Sequence, residues 1–205
     1  MRNAILFMTP MLVALAASSE ASANTDVVTV RTYNYASVPA EQLATAKSGA
    51  ERIFRRAGIV VDWIECRVPG SATGAPCTEP LLAGRDLMLR VMERAPAGEE
   101  RSVALGESML DREQRSGVLM TIDVWPVRAI AERSATAMPT LLGRAIAHEI
   151  GHLLLGSGEH PRLGLMRAHW SNDELRGLKP AHWGFSSREA AQMRQTLRGK
   201  TRVAD

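Results

Sequence analysis

The strongest constraint on how this chain can fold is the pattern from Pro139 to Leu155. Leu141, Leu142, Ala145, Ile146, Ile150, Leu153 and Leu154 occupy most sides of a 3.6-residue repeat. A proline opens the segment and Gly156 follows its end, the usual order of helix start and stop signals. A helix that is apolar around most of its circumference has to be covered on several sides, so it is expected at the centre of a domain. Towards its C-terminal end His148, Glu149 and His152 interrupt the apolar pattern. Burying such groups is costly unless each finds a partner.

The other segments supply the cover. Val27–Tyr33 is rich in β-branched residues and reads as a strand. From Pro39, the spacing of Leu43, Ala46, Ala50, Ile53, Phe54 and Ala57 predicts a helix that stops at Gly58. Strands are expected at Ile59–Ile64, Asp86–Met92 and Gly117–Val124, with a short one at Val103–Leu105 and a short helix from Pro126 to about Arg133. The region from Gly156 to Gly184 is loop-rich, and Ser186-Ser187-Arg188-Glu189 forms a capping box for a last helix carrying Ala190, Met193 and Leu197 on one face. The order predicts one α+β domain, a mixed twisted sheet with a central helix and a small C-terminal subdomain.

The N-terminus differs in character. Arg2 precedes an apolar run from Ile5 to Ala17, and Ala21-Ser22-Ala23 is a small-x-small cleavage site. These features predict a signal peptide over residues 1–23, with a single domain from 24 to 205 placed in the periplasm or secreted. The apolar run falls well short of the roughly 20 residues a membrane helix needs, so no stable membrane anchor is expected. An oxidising compartment favours a disulfide between Cys66 and Cys77. The net charge of +3 is scattered among both signs, with no basic run for nucleic acid. A monomer is expected.

His148 and His152 lie four residues apart, about 400° round a helix, so both imidazoles leave one face and can share an ion. Glu149 projects beside that face, where it can take a proton from a metal-activated water and later deliver it to a leaving amine. Neutral imidazoles suit Zn²⁺, and a catalytic zinc site wants a third protein ligand with one position left open. His160 is the first candidate, brought back by a loop containing Gly156 and Gly158. Glu174 is the alternative, although Ser171–Glu174 is itself a capping box. His169 and His182, next to Trp170 and Trp183, are expected to line a cleft or to pack.

This stretch resembles the metzincin clan of zinc metalloproteases, whose signature is H-E-x-x-H-x-x-G-x-x-H followed by a methionine turn. His148, Glu149 and His152 match it directly, and Gly164-Leu165-Met166 resembles the turn. Leu155 stands at the signature's glycine and Gly158 at its third histidine, so His160 arrives two residues later. The resemblance implies a metzincin-like fold and a zinc metallopeptidase with His148, His152 and His160 on the ion, Glu149 as general base and Met166 beneath the metal. Its substrate is then a peptide or protein, aligned along an edge strand at Val103–Ser108. The alternative is a non-catalytic, zinc-stabilised periplasmic binding module on a protease-like scaffold.

Overall fold

The β-branched runs do become strands in the computed structural model, which describes residues 26–66, 76–82, 84–94, 104–111, 113–178 and 182–199. The expected leader lies outside the described residues. The strands are β1 (Asp26–Asn34), β2 (Ile59–Cys66), β3 (Asp86–Met92), β4 (Gly106–Asp111) and β5 (Ser116–Asp123). They form one sheet in the order β2-β1-β3-β5-β4, parallel except for β4, which runs antiparallel to β5 at the edge. Helix α1 (Ala40–Arg56) is the crossover that the parallel β1–β2 pair requires.

Helices α2 (Val124–Arg133) and α3 (Met138–Leu155) follow the last strand. The α3 segment is the central helix read from the sequence, and thirteen of its residues, from Leu141 to Leu154, are buried. Its cover comes from β4 and β5 of the sheet and from α1. The two helices meet backbone to backbone: a Cβ on Gly143 would lie 2.4 Å from the Ala46 carbonyl oxygen.

Beyond α3 the chain forms loops, the single turn α4 (Asn172–Leu175) and the helix α5 (Ser187–Gly199). The capping box at α5 is present, with Ser186 N donating to Glu189 Oε2 at 2.6 Å and Glu189 N to Ser186 Oγ at 3.3 Å. α5 returns to the main body. Gln192 donates to the Leu155 carbonyl at 3.0 Å, and Arg198 holds the buried Asp26 of β1 at 2.9 Å. The C-terminal region is therefore tied both to the end of α3 and to the start of the sheet.

Cys66 and Cys77 are bonded as expected. The buried Arg31 holds the following segment by donating to the Pro80 carbonyl at 3.2 Å while pairing with Asp86 at 3.1 Å. No described helix is long and apolar enough to cross a membrane.

One element departs from expectation. The short strand expected at Val103–Leu105 is displaced: Ala104 and Leu105 precede the strand, Val103 lies outside the described residues, and pairing begins at Gly106. Gly106–Asp111 (GESMLD) alternates half-buried and exposed positions because only one face of this edge strand meets the core.

Candidate metal centre

The last two turns of α3 place His148, Glu149 and His152 in the interior, all less than one-tenth exposed. Each helical histidine is oriented by a main-chain carbonyl. His148 Nδ1 lies 3.0 Å from the Leu165 oxygen, and His152 Nδ1 lies 2.7 Å from the Ser157 oxygen. A carbonyl only accepts, so each Nδ1 carries the hydrogen and each Nε2 presents a lone pair.

Those lone pairs converge. The Nε2 atoms of His148 and His152 are 2.9 Å apart, and His160 Nε2 lies 3.3 Å from the first and 3.2 Å from the second. Two unprotonated nitrogens at such a distance repel each other unless a cation lies between them. Burial pushes the His148 imidazole down to about 4; the Leu165 carbonyl opposes this, and the neighbouring His152 and His160 add to it. Burial lowers His152 in the same way. A proton is therefore a poor occupant near neutral pH. A metal ion fits: zinc–nitrogen bonds of about 2.0–2.1 Å in tetrahedral array separate neighbouring nitrogens by about 3.3 Å. Among the described residues, His148, His152 and His160 form the group able to hold such an ion.

The return of His160 depends on Gly156. This residue caps α3 in the left-handed conformation, with φ 59° and ψ 36°, and a Cβ there would lie 2.1 Å from the Arg115 carbonyl oxygen. Gly158, expected to share this task, does not: its backbone is not left-handed and a Cβ on it would meet nothing within 4 Å. One glycine makes the turn.

The segment Gly164–Met166 packs against α3 beside the histidines. Met166 is fully buried, and a Cβ on Gly151, between the two helical histidines, would fall 2.7 Å from its sulfur. Trp170 shares the Leu165 carbonyl with His148, donating from Nε1 at 3.3 Å, and meets the His148 ring edge-on at 5.9 Å. Trp183 packs edge-on against Trp170, and the Arg144 guanidinium lies 3.8 Å from the Trp183 ring centre. His169 lines the cleft, whereas His182 is exposed and does not.

Glu174 stands apart from the histidines. It caps α4 through Ser171 and accepts from Arg167 Nη1 at 2.6 Å. Arg167 and Ser171 together hold its carboxyl down at about 2. Both of its oxygens are thus engaged in a structural role.

Glu149 faces β4. Its Oε2 lies 2.6 Å from Ser108 Oγ, and burial pushes its carboxyl up to about 7; Ser108 opposes the shift and Glu107 adds to it. The cleft, about 470 Å³ in volume, lies between Ala104–Ser108, the polar face of α3 and the loop from Gly158 to Trp170. Sequence reading missed Ser108 and the two orienting carbonyls. Ser108 had one available signal, a small polar residue on the inward side of an alternating strand.

No family model matches the chain, and no curated protein matches it in sequence. Similarity emerges in three dimensions. An archaemetzincin from Methanopyrus kandleri shares 15% identity at a TM-score of 0.52, over 86% of this chain and 99% of that one. A zinc-dependent peptidase from Methanocorpusculum labreanum shares 14% at a TM-score of 0.50, over 80% of this chain and 99% of that one. At such identities the likeness is one of fold, and it shows the mixed sheet and central helix of the metzincin-like architecture.

Proposed function

We propose that this chain is a zinc-dependent metallopeptidase of metzincin type that hydrolyses peptide bonds outside the cytoplasm, after removal of a leader near Ala23. The observation that carries the reading is the convergence of the His148, His152 and His160 Nε2 lone pairs one residue from a buried carboxyl, at the mouth of an open cleft. The fold shared with a zinc-dependent peptidase supports it.

In this reading the three imidazoles hold Zn²⁺, which when bound supplies a Lewis acid that makes water nucleophilic at neutral pH and polarises the scissile carbonyl. The chain's own groups do the rest. The Leu165 and Ser157 carbonyls fix the tautomer of the two helical imidazoles and aim them, while burial keeps the rings neutral. The outer edge of β4 is unpaired among the described residues, and an extended peptide can align along it by backbone hydrogen bonds. Glu149 takes a proton from water as the water oxygen bonds to the carbonyl carbon. It then delivers that proton to the amide nitrogen as the C–N bond breaks, releasing a carboxylic acid and an amine.

The test is Glu149→Gln in zinc-loaded protein, assayed on a quenched-fluorescence peptide library. Zinc content is expected to stay stoichiometric while the chemical step falls about 10²- to 10⁴-fold, the range for loss of a general base. Full activity in the variant rules the mechanism out. Stoichiometric zinc with no turnover by the unmutated protein favours a zinc-stabilised binding module instead.

A further inference from the structure

The contact between Ser108 and Glu149 goes beyond the set of groups any zinc peptidase needs. Ser108 lies on the half-buried face of β4, together with Gly106 and Leu110. Its Oγ is 2.6 Å from Glu149 Oε2 and 3.0 Å from the Glu149 backbone oxygen. A hydroxyl has a single hydrogen to donate. The shorter distance falls within the roughly 2.5–2.7 Å of a hydroxyl donating to a carboxylate, so the hydrogen goes to Oε2.

β4 grips the same side chain a second time. A Cβ on Gly106 would lie 2.9 Å from Glu149 Cγ, so strand backbone packs directly against the methylene. Packing fixes the stem but not the carboxyl plane, because the last torsion of glutamate is broad and close to two-fold. A hydrogen bond to one oxygen removes that freedom. We infer that Ser108 is a positioning residue for Glu149: it engages Oε2 and leaves Oε1, which has no donor among the described residues, as the oxygen that receives the proton. The inference rests on the peptidase reading above. It also makes β4 serve two purposes, aligning substrate on its outer edge and setting the base on its inner face.

The rival role is that of a fastener, in which Ser108 merely joins β4 to α3 through the Glu149 backbone oxygen. Ser108→Ala and Ser108→Thr separate the two. Both variants, as full chains loaded with zinc, are assayed on the best-cleaved member of a quenched-fluorescence peptide library, and crystal structures of the metal-free unmutated protein and Ser108→Ala are compared. A positioning role predicts kcat lowered about 10- to 100-fold in Ser108→Ala, with KM within about twofold and most of the activity restored by threonine. The Glu149 carboxyl plane is turned in the alanine variant. Unmutated kcat in Ser108→Ala overturns the inference and leaves the peptidase reading intact, as does equal impairment of both variants with lowered thermal stability. If the unmutated protein cleaves no peptide, the peptidase reading fails and the positioning role falls with it; if it does cleave, an unmoved Glu149 carboxyl in the alanine structure overturns the positioning role alone.

Discussion

Gly156→Ala separates the local geometry of the site from its metal chemistry. The residue sits at φ 59° and ψ 36°, where an alanine costs about 1–2 kcal/mol through its Cβ and carbonyl contacts. The new Cβ would also lie 2.1 Å from the Arg115 carbonyl oxygen and 2.9 Å from its carbon. Both are backbone atoms of the β4–β5 connection, so neither side yields by rotating a side chain, and such overpacking adds about 1–3 kcal/mol. The sum, roughly 2–5 kcal/mol, is a large part of the 5–15 kcal/mol that holds a typical domain folded. A second effect follows one residue on, because the Ser157 carbonyl orients His152 at 2.7 Å. Zinc affinity is therefore expected to fall about 10- to 100-fold. Urea unfolding of the metal-free protein and a competition titration with a zinc chelator measure the two losses. Gly158→Ala is the control, expected within about 0.5 kcal/mol of the unmutated chain because nothing meets its Cβ. Equal stability of the two variants refutes the reasoning.

His160→Ala should weaken zinc binding by more than about 100-fold, since loss of an orienting partner alone costs 10- to 100-fold; His169→Ala, which removes only a cleft-lining ring, should leave zinc affinity unchanged in the same titration. Glu174 gives a pH signature of structure. Its carboxyl, held at about 2 against an ordinary 4.5, contributes stability that is fully present above pH 4.5 and lost as pH falls towards 2. The difference in Tm between the unmutated chain and Glu174→Gln should shrink over that interval, with equal zinc content at neutral pH; a difference independent of pH contradicts the ion pair.

The parts legible in the sequence were those whose side chains repeat. α3 could be read almost to the residue because its apolar positions, its opening Pro139 and its closing Gly156 all point to the same element. β3 matched at both ends, Asp86 and Met92. β4 was misplaced because an edge strand buries one face, and Glu107, Ser108 and Asp111 break any continuous apolar run. The orientation of the histidines was illegible for a different reason: the Leu165 and Ser157 groups that aim them are backbone carbonyls, which leave no mark on residue type. The longer loop before His160 changed the spacing from the metzincin signature, yet the left-handed turn at Gly156 still returns the ring to within 3.3 Å of both partners.

The most direct measurement is an anomalous-difference map recorded at the zinc edge from crystals of the zinc-loaded protein. The expected result is one peak about 2.0–2.1 Å from Nε2 of each of His148, His152 and His160, with Glu174 still bonded to Arg167. A peak ligated by Glu174 in place of His160, or no peak among the three histidines, contradicts the proposed metal centre.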